Sequence, residues 1–81
     1  MISNYGKNKH MEDLIKKLEE ILETNNIDLS KKFDEYEVWD SLTSLSIIAM
    51  LDSDYNITAT NKQLTDFLNI EEFCKFVLNN N

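Results

Sequence analysis

Residues that break regular backbone are almost absent from this chain, which has no proline and a single glycine, Gly6. Tight β-hairpins usually depend on glycine at positive φ, so an all-β fold is disfavoured. We therefore expect a fold built from α-helices.

The chain is also short, and covalent cross-links cannot contribute to its stability. Its 81 residues predict one domain, near the lower size at which a single core holds a fold. Cys74 is the only cysteine, so an intramolecular disulfide is impossible, and no Cys and His occur at metal-ligand spacing. Helix packing alone must stabilise the fold, and we expect no metal site.

The charge balance restricts the class of partner. The formal net charge is −7 and the pI is about 4.5. Such a surface repels nucleic acid and anionic lipid and attracts basic protein surfaces, although acidity also simply keeps a small domain soluble. No segment approaches the roughly 20 apolar residues of a membrane span, and the N-terminus lacks the apolar run of a signal peptide. We expect a cytoplasmic monomer without membrane insertion.

A first amphipathic helix is predicted from Met11. One stripe at helical spacing contains Met11, Leu14, Ile15, Leu18, Ile21 and Leu22. Residues 1–10 are polar and without period, which predicts a flexible leader. The segment Thr24-Asn25-Asn26 is expected to end the helix, with asparagine in the left-handed conformation that glycine often supplies.

A long connection over residues 27–39 follows. It is too apolar for a loose linker, and we expect several of its side chains to anchor it to the core, with one short helical turn. These side chains are Ile27, Leu29, Phe33, Tyr36, Val38 and Trp39. For Trp39 we favour a core anchor over an exposed contact, because an exposed tryptophan is unusual without a partner.

A second helix is predicted from Ser41 to about Asp54, with Asp40 as its N-cap. Its apolar residues cover more than one face, so part of it is expected to face a ligand or a partner. Capping-box patterns at Thr60–Gln63 and Asn69–Glu72 predict a short third helix over 61–66 and a fourth helix from Ile70. The domain organisation is a leader at 1–10, a folded unit at 11–78 and a frayed tail at 79–81.

The tripeptide Asp40-Ser41-Leu42 is the candidate for chemistry. Ser41 would lie in the first helical turn, where unpaired N–H groups and the helix dipole favour a phosphodiester. Taken alone, a serine in this position is usually just a residue that starts a helix, and the surrounding pattern is what favours a functional role.

The segment VWDSLTSLSIIAMLDSDYNI, from Val38 to Ile57, resembles the second-helix region of acyl carrier proteins. The resemblance extends over roughly residues 11–78. It implies a four-helix bundle with a long first loop, and a protein without catalytic residues. Such a protein holds acyl intermediates as thioesters on a 4′-phosphopantetheine arm donated by coenzyme A.

The resemblance also implies a role for particular positions. Ser41 matches the attachment site, and Asp40 matches the acidic residue that supports transfer of the arm by a phosphopantetheinyl transferase. Positions that contact partner enzymes are matched by Leu42, Leu45, Ala49 and Asp52. Positions that line an acyl cavity are matched by Ile47, Ile48, Leu51, Tyr55, Ile70, Phe73 and Val77.

Several residues depart from the housekeeping pattern of fatty-acid carriers. Trp39 precedes the motif, Thr43, Ser44 and Ser46 stand where acids are common, and the bulky Phe73 favours short cargo. The expected partners are synthases or acyl- or aminoacyl-ligases with basic docking surfaces, in fatty-acid, polyketide or related biosynthesis. Two alternatives stay open: an aminoacyl or hydroxyacyl carrier of a ligase-dependent pathway, and an unmodified helical interaction module.

Other reactive residues carry less weight. His10 and Cys74 are far apart in sequence, and a cysteine in an apolar helix is usually a core residue. Asp52 and Asp54 lack the further oxygen donors that a cation site needs.

Overall fold

The computed structural model describes residues 4–79, and the side chains of residues 10–79. The described part contains no strand. It consists of α1 (Asn4–Leu22), a 3-10 turn (Phe33–Glu35), α2 (Ser41–Tyr55), α3 (Asn61–Asp66) and α4 (Ile70–Asn79). The predicted all-α architecture, with a long first loop and a short third helix, is confirmed. No helix of this part is long and apolar enough to cross a membrane.

Helix α1 differs from its prediction at both ends. It begins at Asn4, not Met11, so residues 4–10 are helical where a leader was expected. Extending a formed helix adds one hydrogen bond per residue and needs no apolar stripe, which is why the pattern did not mark this start.

The predicted tail covers Asn79, the last residue of α4, and residues 80–81, which lie outside the described part. The division into leader, domain and tail stays a prediction.

The left-handed residue after α1 is Glu23, with φ 56°, and the expected asparagine cap is wrong. The helix must continue to Leu22, because Leu14, Leu18 and Leu22 are the stripe residues buried in the core. The turn then falls on the next residue, whatever its type. A hydrogen bond from the Thr24 amide to the Glu19 carbonyl, 3.1 Å long, closes this end.

The long loop is anchored as predicted. Phe33, in the 3-10 turn, is buried, and the other apolar loop residues are partly buried against the core. The loop also bonds to α4, where the Ile70 amide donates to the Lys31 carbonyl and the Glu71 amide donates to the Leu29 carbonyl, at 2.8 and 3.0 Å. Loop carbonyls therefore satisfy N–H groups of the first turn of α4 that a helix cannot pair internally.

Polar caps define the remaining helix ends. Helix α2 ends at Tyr55, and its C-cap Asn56 follows in the left-handed conformation, with a φ of 59°. The capping box between Thr60 and Gln63 starts α3 as predicted. The Asn69 side chain accepts from the Glu72 amide at 2.9 Å and caps α4. The caps of α3 and α4 satisfy N–H groups that the helices cannot pair internally.

Candidate functional site

The start of α2 is held by the residue that precedes it. Asp40 Oδ1 accepts a hydrogen bond from the Thr43 amide at 2.8 Å, and the Asp40 carbonyl accepts from the Ser44 amide at 2.9 Å. Asp40 is therefore the N-cap, as predicted, and Ser41 is the first residue of the helix. This places the Ser41 hydroxyl in the turn whose N–H groups lack helical partners.

The electrostatics of this turn favour negative charge. The hydrogen bond from the Thr43 backbone, followed by the Thr43 side chain, holds the pKa of the Asp40 carboxyl below its ordinary value. The first turn of α2 itself contains no acidic residue, so its dipole is not neutralised from within the helix. A phosphodiester on Ser41 would be stabilised in this field.

The hydroxyl groups of the first turns differ in what they do. Thr43 Oγ1 donates to the Val38 carbonyl at 2.8 Å, and Ser44 Oγ donates to Asn61 Oδ1 at 2.6 Å. Ser41 is exposed, and its hydroxyl has no hydrogen-bond partner among the described residues. Thr43 and Ser44 thus hold the fold together, whereas Ser41 is available for modification.

The residues predicted to contact partners lie on the exposed side of α2. Leu42 and Leu45 are 72% and 58% exposed, and Ala49 and Asp52 are also exposed. An exposed leucine pair is a feature that partner surfaces have and that folding does not require. Their predicted role in docking is compatible with this placement and is taken up below.

The residues predicted to line an acyl cavity are mostly core residues. Five of them are fully buried: Ile47, Leu51, Ile70, Phe73 and Val77. Ile48 and Tyr55 are partly buried and packed against that core.

An apolar pocket of about 270 Å³ lies between α2, α3 and α4. Two of the predicted residues, Leu51 and Phe73, line it. The remaining lining residues were not predicted to line a cavity: Ala59, Gln63, Leu64, Asp66, Phe67 and Phe76. Phe67 packs edge-on against Phe73, with ring centroids 5.6 Å apart, and so forms part of the wall. This pocket has room for a small apolar group.

A second concave region, which we call the α1–loop groove, adjoins Ser41. It has a volume of about 570 Å³ and includes both neighbours of Ser41, Asp40 and Leu42. The end of α1, the end of the loop and the first turns of α2 supply the rest: Glu20, Ile21, Glu23, Glu37, Val38, Trp39, Thr43 and Ser46. The sequence pattern missed this groove because its walls come from segments separated by the loop.

Trp39 links this groove to the core. Its ring stacks on that of Phe33, with centroids 5.3 Å apart and planes inclined by 21°. It is partly buried, and another part of it lines the α1–loop groove. The preferred role as a core anchor is therefore supported, with a share in the groove wall as well.

The two other reactive residues considered from the sequence, Cys74 and His10, differ in exposure. Burial, and secondarily the negative charge of Glu71, raises the pKa of the Cys74 thiol to about 12, so this thiol stays protonated and unreactive near neutral pH. His10 is exposed and lies in α1, near the start of the described part. Among the described residues, no three His, Cys, Asp or Glu side chains are grouped so as to hold a metal ion.

Comparison with known proteins agrees with the geometry. A family model described as the phosphopantetheine attachment site matches residues 12–77. Neither the curated proteins nor the solved structures yielded a match. The family match covers all of α2, α3 and the loop, and therefore includes both Ser41 and the α1–loop groove.

Proposed function

The chain belongs to the phosphopantetheine attachment site family, and we propose that Ser41 is the residue that carries the prosthetic group. Domains of this family hold a covalently attached 4′-phosphopantetheine and are carriers, not enzymes. The protein is accordingly a phosphopantetheine carrier. The proposal concerns the attachment atom, the cargo and the partners.

The free hydroxyl of Ser41 is the observation that supports this attachment site. Attachment requires an oxygen that a transferase can reach, in a turn that tolerates a phosphate. Thr43 and Ser44 lie nearby, but both donate hydrogen bonds within the fold. Ser41 alone combines a free, exposed hydroxyl with a position at the first residue of the helix.

The modification that we propose forms one bond and breaks another. Ser41 Oγ attacks the phosphorus nearest the pantetheine of coenzyme A, and its proton is released to solvent. The new O–P bond replaces a bond of the pyrophosphate, and adenosine 3′,5′-bisphosphate leaves. Asp40 keeps the acceptor turn in place through the Thr43 amide. The thiol at the end of the attached arm then holds an acyl group as a thioester.

We further propose that partner enzymes dock over the exposed face of α2. Leu42, Leu45 and Ala49 offer apolar contact close to Ser41, and Asp52 offers a charge further along the helix. The partners are a phosphopantetheinyl transferase and the ligases and synthases of fatty-acid, polyketide or related biosynthesis. A tethered arm raises the effective concentration of cargo at each of these enzymes, which is the physical benefit of a carrier.

The pocket between α2, α3 and α4 supports short cargo. Its volume of about 270 Å³ lies below the roughly 300–1,000 Å³ typical of pockets that enclose drug-sized ligands. The rings of Phe67 and Phe73, which pack edge-on against each other, both line it and limit its size. We expect mass spectrometry of the loaded protein from its host to show short acyl groups. A predominance of long chains would contradict this part of the proposal, and aminoacyl or hydroxyacyl cargo would favour the ligase-dependent alternative.

The attachment site is tested by modification in vitro. The purified protein is incubated with coenzyme A and a transferase of broad specificity, and the intact mass is measured. We expect a gain of one phosphopantetheine group, lost in Ser41→Ala and retained in Ser46→Ala, a matched exposed serine of the same helix. An unchanged mass of the unsubstituted chain would favour the unmodified interaction module, and a gain that persists in Ser41→Ala would exclude Ser41.

A thiol assay gives an independent readout of the same reaction. Cys74 is buried, and its raised pKa keeps it unreactive in the folded protein. We therefore expect a thiol reagent to detect about one new reactive thiol per modified chain. Under denaturing conditions Cys74 should react as well, which provides an internal standard.

A further inference from the structure

Thr43 holds the turn that contains Ser41 through two separate hydrogen bonds. Its amide donates to Asp40 Oδ1 at 2.8 Å, and its hydroxyl donates to the Val38 carbonyl, also at 2.8 Å. The first bond closes the helix cap, and the second closes a larger ring that runs from Val38 to Thr43. Ser41 lies inside both rings. The place of its backbone is therefore set relative to the loop as well as to α2.

The loop end to which the Thr43 hydroxyl bonds is itself anchored to the core. The Trp39 amide donates to the Tyr36 carbonyl at 3.0 Å, and the Trp39 ring stacks on the buried ring of Phe33, with centroids 5.3 Å apart. Val38 is partly buried and packs against the core as well. Thr43 thus connects the turn to a part of the loop that has a defined place in the fold.

Capping of α2 does not require the Thr43 hydroxyl. The cap consists of bonds from the Thr43 and Ser44 amides to Asp40, and any residue other than proline supplies such amides. At the same position of α3, the Gln63 side chain accepts a hydrogen bond from the amide of its own cap residue, Thr60. The Thr43 side chain instead reaches a carbonyl two residues before the cap. This second bond therefore has a purpose other than capping.

The size of the two possible effects favours a role in placing Ser41. A hydrogen bond between a neutral hydroxyl and a carbonyl makes only a modest net contribution to stability. A displacement of a reacting group by about 1 Å, in contrast, can lower the rate of a reaction by about 100-fold. Loss of this bond should thus affect the approach of Ser41 Oγ to coenzyme A more than it affects folding.

We propose that Thr43 is a positioning residue for the modification of Ser41. Its hydroxyl, through the Val38 carbonyl, holds the Ser41 hydroxyl at one place relative to the anchored loop, so that the oxygen meets the phosphorus of coenzyme A in the complex with the transferase. Thr43 acts through the turn and takes no part in bond formation. The inference rests on the proposed function, because it requires Ser41 to be the attachment residue.

The test removes the hydroxyl while keeping the shape of the side chain. Thr43→Val does this, Thr43→Ser keeps the hydroxyl, and Thr65→Val is the matched control. The Thr65 hydroxyl bonds to the Asn61 and Lys62 carbonyls within α3 and has no link to the turn at Ser41. Modification by coenzyme A and a transferase of broad specificity is followed by intact mass under single-turnover conditions, below the melting temperature of every variant. The readouts are the maximal rate and the transferase concentration that gives half of it.

We expect Thr43→Val to lower the maximal rate about tenfold and to change the half-saturating transferase concentration by less than about twofold, because a misplaced nucleophile slows the chemical step more than docking. Thr43→Ser should recover the rate to within about threefold of the unsubstituted chain, and Thr65→Val should stay within about twofold of it. If Thr43→Val does not fold, Thr43→Ala replaces it with the same expected loss.

Three results would overturn the inference and leave attachment at Ser41 intact. These are equal maximal rates for Thr43→Val and Thr65→Val, a loss that Thr43→Ser does not recover, and a loss confined to the half-saturating concentration. If the unsubstituted chain is not modified at all, the proposed attachment fails and this inference fails with it.

Discussion

The two concave regions beside α2 differ in composition and in position along the helix. The α1–loop groove adjoins the first turns, next to Ser41, and glutamates form much of its wall. The pocket between α2, α3 and α4 adjoins Leu51, further along the helix, and phenylalanines form much of its wall. One is wide and charged, whereas the other is about half as large and apolar.

This difference means that the two regions beside α2 suit different kinds of molecule. A charged, open groove attracts groups of opposite charge, because charge acts at a distance and tolerates imperfect fit. A small apolar pocket holds a small apolar group, because close packing discriminates by size. Residues of α2 line both regions.

The largest expected effect concerns the wall of the pocket. Phe73 is fully buried and contacts both Phe33 and Phe67 edge-on, so Phe73→Ala should lower the free energy of unfolding by about 3–5 kcal/mol. Phe76 lines the same pocket but is 37% exposed, so Phe76→Ala should lower it by only roughly 1–2 kcal/mol. Urea unfolding measures both values.

If Phe73→Ala does not fold, Phe73→Leu keeps most of the buried surface. We expect this variant to lose roughly 1–1.5 kcal/mol and to accept longer acyl groups than the unsubstituted chain. Equal losses for Phe73→Ala and Phe76→Ala would mean that Phe73 does not form the core side of the pocket.

A smaller loss is expected where α2 meets α3. The buried Ser44 hydroxyl donates to Asn61 Oδ1 at 2.6 Å, and Ser44→Ala should lower the free energy of unfolding by about 1 kcal/mol. Ser46→Ala, on the exposed side of the same helix, should change it by less than about 0.5 kcal/mol. Chemical denaturation distinguishes the two, and a reversed order would show that the Ser44 bond does not stabilise the fold.

A gain in stability is expected at the end of α1. Glu23 has a φ of 56°, which strains a residue with a Cβ atom, so Glu23→Gly should raise the free energy of unfolding by about 0.5–1 kcal/mol. Asn56 has a similar φ of 59°, but asparagine tolerates it, so Asn56→Gly should have an effect of only about 0.3 kcal/mol. A destabilised Glu23→Gly protein would show that the Glu23 side chain contributes to the fold.

The smallest effect concerns acid stability at the groove. Hydrogen bonds from Thr43 depress the pKa of Asp40 in the folded protein. The stabilisation from the charged carboxylate is therefore complete above the ordinary carboxyl pKa and is lost as the pH falls through the depressed folded value. Asp40→Asn keeps an N-cap without titrating.

Melting temperatures from pH 7 down to pH 2 test this expectation. The difference between the original protein and Asp40→Asn should be constant near neutral pH and should fall as the solution is acidified. A difference that does not change with pH would mean that the charge of Asp40 is not coupled to folding.

Local patterns in the sequence predicted those parts of the fold that depend on neighbouring residues. The stripe through Leu14 and Leu18, and the capping box between Thr60 and Gln63, are local features, and the structure confirms both. The start of α2 was predicted for the same reason, since Asp40 caps residues within one turn of itself.

Features that depend on distant contacts could not be predicted in this way. Ser44 stands where carriers often have a surface acid, but it is buried where α2 packs against α3, and Asn61, seventeen residues later, accepts its hydrogen bond. The α1–loop groove needs Glu20 and Glu37 on one side of the molecule, and only the course of the loop determines that. The spacing of residues along the chain predicts neither the Ser44–Asn61 hydrogen bond nor the approach of Glu20 and Glu37.

The hydrogen bonds between the loop and α4 have a consequence for hydrogen exchange. The amides of Ile70 and Glu71 are protected by loop carbonyls of Lys31 and Leu29, not by α4 itself. Their exchange with solvent therefore requires the loop to open, even while α4 stays helical. Deuterium uptake at these two amides would report how often the loop leading to Ser41 leaves its place, and whether a loaded arm or a bound enzyme holds it there.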